Sequence, residues 1–223
     1  MQQNRSFFIL IVGIVFFLSL DINLSMASEK KFETFDPERV KTWSFFSDGV
    51  VAHVSMADPF CPNLSRLLSE EGESLMTGGR QLHRGGTYLA MEGPAFSTRA
   101  ESELYRSWGC AVIGMTNHTE ARLAREAEIA YASLSMATDY DCWHQNHEKV
   151  TVEMVIENLK ANALIGSKIV TATAKRISSL KPQSEAHSAL KNGLMTERDR
   201  VSKETRKKID VFTKHYWGSI NEK

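Results

Sequence analysis

The stretch GGTYLAMEGPAFSTRAESELYRSWGCAVIGMTNHTEARLAREAEIAYASLSMATDYDCWH, residues 85–144, decides the fold class of this chain. It contains three short runs rich in β-branched or apolar residues, which predict strands at 87–93, 110–116 and 129–138. Polar segments with helical spacing separate these runs. Because strands alternate with helices, the stretch indicates an α/β layered fold with a mostly parallel or mixed sheet.

Helix start and stop signals extend this pattern along the chain. Thr98 and Glu101 have the spacing of a capping box, so they predict the start of a helix, and Gly109 is suited to end it. Further predicted elements are a strand at 49–57 and helices at about 65–72, 120–128, 151–179 and 202–217. In the longest helix, apolar residues recur every three or four positions and form a stripe that faces a core.

Composition limits the class of protein. The chain has 223 residues, which is enough for one domain or at most two small ones. It carries 27 basic and 27 acidic residues, so no global charge attracts nucleic acid and we expect no nucleic-acid partner. Three cysteines are too few for a disulfide scaffold, and an odd count suits a reducing compartment. The sequence lacks GxxxxGK[ST], GxGxxG and GxSxG, which disfavours a P-loop NTPase, a dinucleotide enzyme and a serine hydrolase.

The N-terminal segment differs from the rest of the chain. The run SFFILIVGIVFFLSL at 6–20 carries no charge and is shorter than the roughly 20 residues that a spanning helix needs. A short basic start precedes it and Ser25-Met26-Ala27 follows, which is the layout of a signal peptide; an uncleaved membrane anchor and a misplaced start are the alternatives. The shifts in composition divide the chain into a signal-like or anchor segment (1–28), a linker (29–44) and a domain (45–223).

Two carboxylates follow the longest predicted strand, in Asp139-Tyr140-Asp141. In an extended chain, residues two apart face the same way, so these carboxylates repel and at least one is expected to hold its proton near neutral pH. Such a group can donate to a leaving nitrogen. Ligands of open α/β sheets gather beyond the carboxyl ends of strands, which favours a site here. A solvated acidic turn is the alternative.

Two strand ends offer weaker candidates. Met115-Thr116 ends a strand, where a hydroxyl could bind phosphate or sugar, although a polar residue is ordinary there. The turn Glu92–Ser97 leads into a helix N-terminus that suits an anion or a polar ligand, and Phe96 could stack on a flat ring. The alternative is an ordinary turn with a packed phenylalanine.

Histidines give two further candidates. Cys142, His144 and His147 suggest zinc, but their spacing fits no standard motif, so a loop around a packed Trp143 is preferred and no metal is expected. His53 lies within a predicted strand, where a histidine is usually a core or interface residue.

The stretch at 85–144, GVVAHVSMADPFCP at 49–62 and ALKNGLMTERDR at 189–200 closely resemble the methylthioadenosine phosphorylases of the purine nucleoside phosphorylase superfamily. The motifs EGP-x-FS-x-RAES and MATDYDCWH carry the resemblance, which runs from about Phe45 to the C-terminus. It implies a nucleoside-phosphorylase-like layered fold with a mixed central sheet flanked by helices. The first strand, Gly-rich phosphate loop, Arg-His pair and Thr of the family have no counterpart here, so we expect a domain incomplete at its N-terminus.

The resemblance implies a reaction and the residues that perform it. Phosphate attacks C1′ of 5′-methylthioadenosine and releases adenine and 5-methylthioribose 1-phosphate, so phosphate is a co-substrate and no cofactor is expected. By position, Asp139 is the protonated donor to purine N7 and Asp141 reads the 6-amino group. The other implied contacts are Phe96, Ser97, Met115, Tyr140 and Val152 with the nucleoside, His53 with the 5′-group across a subunit boundary, and Thr116 with phosphate.

The resemblance also implies an oligomeric state, a metabolic role and a cellular location. Family members are trimers or hexamers that serve purine and methionine salvage, so a homo-oligomer in the cytoplasm is expected. The N-terminal segment instead indicates export, or contact with a membrane through residues 6–20. Two other functions stay open: an exported protein that binds nucleoside or a partner without catalysis, and a nucleosidase that uses water in place of phosphate.

Overall fold

The computed structural model describes residues 7–9, 44–76, 80–143 and 152–218, without the side chains of 7–9, 139 and 152–155. Strands and helices alternate through the first two thirds of this part of the chain, and helices follow. In order, the elements are β1 (Phe7–Ile9), α1 (Pro62–Leu75), β2 (Thr87–Ala90), α2 (Arg99–Ser107), β3 (Cys110–Gly114), α3 (Asn117–Glu126), β4 (Ala137–Asp139), α4 (Val152–Leu180), the short 3-10 helices Glu185–Ser188 and Arg198–Arg200, and α5 (Lys203–Trp217).

The sheet has four strands in the order β2-β3-β1-β4. Strand β3 is parallel to both of its neighbours, β2 and β1, whereas β4 runs antiparallel to β1. The sheet is therefore mixed, as predicted. The described residues group into two compact units, and the sheet belongs to the first, with α1, α2 and α4.

In the first unit, α1 packs against α4. Leu64 and Leu67 of α1 are completely buried, and Ile169 of α4 is buried as well. The helices also share a charged contact: the Arg176 guanidinium lies 2.8 Å from a Glu70 oxygen and 2.9 Å from a Glu71 oxygen. Apolar burial supplies most of the stability of such a contact, because exposed ion pairs contribute little.

The second unit comprises 44–61, Ala121–Tyr131 and the chain from Gln183. Its core contains Phe46, Val50, Leu190, Val201 and Ile209. The Glu128 carboxylate accepts hydrogen bonds from the Tyr216 hydroxyl and from the Leu190 amide, which joins α5 to the turn after α3.

Two predicted strands are largely absent from the described structure, so their predicted extents were wrong. The segment 49–57 has only an isolated bridge, from Ala52 to Leu194, because its apolar residues pack on the core of the second unit and do not enter a sheet. In the segment 129–138, only the end forms β4. Tyr131 is outside any strand and 2% exposed, so burial alone explains the apolar pattern there.

Three residues of the N-terminal apolar run are described, and they form β1. The rest of 6–20, the boundary at 28 and the predicted linker up to residue 43 lie outside the described residues. Within the part of the chain that is described, no helix is long and apolar enough to span a bilayer.

Leu67→Ala should destabilise the protein by about 3 kcal/mol, because it removes methyl groups that are completely buried on α1 and leaves a cavity. Leu180→Ala is the matched control, since Leu180 is 56% exposed at the end of α4. Urea unfolding of both variants measures the difference. Equal losses of stability in the two variants would contradict the burial of Leu67.

The ionisation of the Tyr88 hydroxyl should make the free energy of unfolding depend on pH in the alkaline range. Burial, and then the negative charge of Glu120, raise the pKa of Tyr88 above its ordinary value. The unfolded chain releases this proton near pH 10 whereas the folded chain keeps it, so stability is lost as the pH rises beyond about 10. Tyr88→Phe should make this decline shallower, as measured by urea unfolding at pH 8 and pH 10.5. An unchanged decline would show that Tyr88 does not contribute.

Candidate active site

Helix α2 begins with the capping box that the sequence predicts. The Thr98 hydroxyl accepts from the Glu101 amide at 3.3 Å, and the Glu101 carboxylate accepts from the Thr98 amide at 2.6 Å. These bonds satisfy amides that a helix start leaves without partners, so they fix where α2 begins. Ser102 is the buried residue of α2, at 1% exposed.

The side chain of Ser102 meets one of the two predicted carboxylates. Its hydroxyl donates to Oδ2 of Asp141, which is 8% exposed. Oδ1 of Asp141 accepts from the Cys142 amide at 2.7 Å. Each oxygen of this buried carboxylate therefore has a fixed donor, which holds the carboxylate as an acceptor in one orientation.

Cys142 links this cluster to the start of α2. Its sulfur lies 3.2 Å from the Ser102 hydroxyl oxygen and 3.7 Å from the Ser97 carbonyl oxygen. The predicted site residues Ser97 and Asp141 are thus joined through one residue. All three cysteines of the chain are free thiols.

The segment after β4 contains two aromatic residues, Tyr140 and Trp143. The Arg106 guanidinium lies 3.6 Å from the centre of the Trp143 ring, and the Tyr140 and Trp143 rings meet edge to face at 6.1 Å. The packed Trp143 is as predicted. Among the described residues no cluster of side chains could hold a metal, and His144 and His147 lie outside them.

A second group of predicted residues lies at the carboxyl ends of β2 and β3. The Met91 amide donates to the Gly114 carbonyl at 2.8 Å, so pairing continues one residue beyond β2. The Ser97 hydroxyl contacts the Met91 sulfur at 3.8 Å. A Cβ on Gly93 would lie 2.9 Å from the Met115 sulfur, so the turn after β2 sits directly on Met115.

Helix α4 holds β4 through two amide side chains one turn apart. Asn158 donates to the Thr138 carbonyl at 3.0 Å, and Asn162 donates to the Ala137 carbonyl at 2.8 Å. Because Asp139 is the next residue of β4, these bonds fix the backbone that carries it. Arg80 in turn donates to the Asn162 side-chain oxygen at 2.9 Å.

The direction of β4 differs from the expectation for parallel strands. Asp139 is paired with Phe8, which is paired with Ile113 near the end of β3, but β4 runs opposite to β3. The carboxyl end of β4 therefore points away from those of β2 and β3. Asp141 meets α2 through the Ser102 hydroxyl.

The remaining predicted residues have simpler surroundings. Phe96 is 71% exposed in the turn before α2. Thr116 is exposed, and its carbonyl accepts from the Glu120 amide at the start of α3. The side chains of Asp139 and Val152 are outside the described part of the structure. His53 belongs to the second unit, where its amide donates to the Gly193 carbonyl.

Sequence reasoning missed three residues of the site: Ser102, Asn158 and Asn162. The signal for Ser102 was its place four residues after the capping threonine, on the face of α2 that turns inward. The two asparagines are spaced i, i+4 on α4, so they lie on the same face of the helix and can bond neighbouring residues of one strand.

The fold and the site define a nucleoside-phosphorylase-like protein. Residues 26–175 match the model of the Phosphorylase superfamily, and the chain belongs to that family.

Individual relatives agree with this assignment. The chain is 74% identical over 179 residues to the S-methyl-5'-thioadenosine phosphorylase of Prochlorococcus marinus, a match that covers 80% of this chain and 57% of that protein. The enzyme of the same name from Thermosynechococcus vestitus is 51% identical over 181 residues, or 81% of this chain and 63% of that one. The chain thus spans about three-fifths of the length of these relatives.

Solved structures show the same fold. A methylthioadenosine phosphorylase from an antarctic soil metagenomic library superposes with a TM-score of 0.73 at 44% identity, over 77% of this chain and 60% of that one. The methylthioadenosine phosphorylase of Schistosoma mansoni in complex with adenine gives a TM-score of 0.59 at 26% identity, over 72% of this chain and 62% of that one.

Gly93→Ala should lower stability by about 1 kcal/mol or more, because the φ of Gly93 is +71° and the added methyl group would collide with the Met115 sulfur. Gly109→Ala is a useful comparison, since Gly109 has a φ of +80° but open space around its Cβ position. Thermal unfolding should show the larger loss for Gly93→Ala. The reverse order would contradict the contact with Met115.

Proposed function

We propose that the protein to which this chain belongs catalyses phosphorolysis of 5′-methylthioadenosine. Phosphate attacks C1′ of the ribose, the bond from C1′ to the purine nitrogen breaks, and adenine and 5-methylthioribose 1-phosphate are released. The observation that carries the proposal is the buried Asp141 carboxylate, which is held by a donor on each oxygen and lies within the stretch most like the methylthioadenosine phosphorylases. The names of the similar proteins support the choice of nucleoside.

The chemistry requires help at the purine. As the glycosidic bond breaks, electrons move onto the base, and a donor at N7 stabilises the charge that develops there. We assign this donor to Asp139 and recognition of the 6-amino group to Asp141. An ionised carboxylate accepts hydrogen bonds and does not donate, so Asp141 favours an aminopurine over an oxopurine.

The other predicted contacts complete the proposal. Phe96, which is 71% exposed, stacks on the base, and Met115, under the turn at Gly93, packs on the nucleoside. We assign Ser97, Tyr140 and Val152 to further contacts with the nucleoside. Thr116, at the start of α3, binds phosphate, as a hydroxyl beside the amides of a helix N-terminus suits an anion. His53 contacts the 5′-group of a nucleoside bound by a neighbouring subunit.

We further propose the setting that the family implies. The protein acts as a homotrimer or a hexamer, with phosphate as co-substrate and without a cofactor, in purine and methionine salvage. A cytoplasmic location fits this role, and the N-terminal run at 6–20 makes export or membrane anchoring the competing proposal.

The function is tested by following adenine release from 5′-methylthioadenosine at increasing phosphate concentration. Release should rise with phosphate and saturate, and 5-methylthioribose 1-phosphate should appear in equal amount. Release that does not depend on phosphate would indicate a water-using nucleosidase. Nucleoside binding without release would indicate a binding protein.

Asp139→Ala should lower adenine release at least about 100-fold, because the purine loses its proton donor in the transition state. Asp199→Ala is the matched control, as Asp199 is an exposed aspartate in a 3-10 helix and is not among the predicted contacts. Turnover by Asp139→Ala at the rate of the control would disprove the assigned role.

A further inference from the structure

The hydroxyl of Ser102 is the one side-chain donor that the described residues offer to Asp141. It bonds Oδ2, while the donor to Oδ1 is the Cys142 amide of the backbone. Among the described residues no lysine or arginine forms an ion pair with Asp141; Arg106 lies against Trp143. A buried carboxylate without a cation depends on neutral donors to remain an acceptor in a fixed orientation.

The direction of the Ser102 hydrogen bond is settled by its partner. Ser102 has a single hydroxyl proton, and a carboxylate can only accept, so this proton points at Asp141. The Cys142 thiol, 3.2 Å from the Ser102 oxygen, directs its own proton at the Ser97 carbonyl, 3.7 Å away, so it does not compete with Asp141 for the Ser102 proton.

Ser102 is buried at the start of α2, where its hydroxyl is used by Asp141. It is 1% exposed, and its backbone amide is used in the first turn of α2, where it donates to the Thr98 carbonyl. The capping box fixes that turn, so the position of the hydroxyl is set by the start of the helix. A rigid donor on a capped helix is a better support for a carboxylate than a donor on a loop.

We propose that Ser102 is the positioning residue that makes Asp141 selective for aminopurines, an inference that rests on the proposed role of Asp141. With Ser102 in place, Asp141 presents a fixed acceptor to the 6-amino group. Without it, Oδ2 loses the one side-chain donor that the described residues give it, the carboxylate can rotate about its bond to Cβ, and the amino group loses an aligned partner. An oxopurine gains nothing from that acceptor and is affected less.

The test compares the full chain with Ser102→Ala, Ser102→Thr and Ser107→Ala. The substrates are 5′-methylthioadenosine and its 6-oxo analogue, 5′-methylthioinosine, and the readout is the ratio of their kcat/KM values. Ser102→Ala should lower this ratio by about tenfold. Ser102→Thr retains the hydroxyl and should restore it. Ser107→Ala, on the same helix, removes a hydroxyl that bonds the Leu104 carbonyl and should leave the ratio unchanged.

A second readout does not need turnover. The Cys142 amide is hydrogen-bonded to Asp141, so its hydrogen exchange reports whether the carboxylate is fixed. Ser102→Ala should speed that exchange about fivefold to tenfold, and Ser102→Thr should not. If Ser102→Ala does not fold, Ser102→Cys, with a weaker donor of similar size, replaces it.

The two readouts separate this proposal from the proposed function. If the protein releases adenine and the Ser102→Ala ratio is unchanged, the positioning role is wrong and the function stands. If the protein has no activity on either nucleoside but Cys142 exchange still responds to Ser102, the coupling is real and the proposed function is wrong. If exchange does not respond either, Ser102 does not position Asp141.

Discussion

The hydrogen bond from Ser102 to Asp141 is the constraint on which the candidate site depends. Removing a carboxylate from water costs several kcal/mol unless donors replace the lost hydration. The fold meets this cost from two separate elements: a helix that supplies a hydroxyl and a backbone segment that supplies an amide. Both elements must therefore be placed accurately, and the structure shows how each one is held.

Each partner is fixed by local chemistry before it meets the other. The capping box sets the start of α2 and so the height of Ser102 along the helix. The asparagines of α4 fix the backbone of β4 a few residues before Asp141. The predicted contacts with the base come from two segments: the turn at Gly93, which lies against Met115, and the segment after β4. Cys142 connects the second segment to Ser97. Such placement suits a site whose selectivity depends on the alignment of a single acceptor.

The sequence was a good guide to local structure and a poor one to pairing. The helix at 99–107 was predicted with its capping box, because both partners of that box lie within four residues. The direction of β4 was not predictable, since it depends on which strand lies beside it and not on the residues of β4 itself. The segment 49–57 failed for a related reason: β-branched residues indicate burial on one face, and a core of helices satisfies that pattern as well as a sheet does.

In the candidate site, too, the sequence indicates some residues, and others are found only from their contacts in the structure. Asp139 and Asp141 were noticed from their spacing, and the resemblance gave them roles. The place of Ser102 four residues after the capping threonine indicates only an inward face of α2, and its contact with Asp141, 39 residues away, shows what that face meets. Positioning residues generally escape sequence reasoning, since their partners are distant in the chain and their own residue types are common.

The hydrogen bonds from α4 to β4 have a consequence for the edge of the sheet. In the sheet that the described residues form, β4 is an edge strand, and an edge with free carbonyls is a template on which a second molecule can add a strand. Here two successive carbonyls of β4 already accept from Asn158 and Asn162. Because successive carbonyls of a strand point to opposite sides, one of these two faces the open edge, so the helix that holds β4 also occupies an acceptor that an added strand would use.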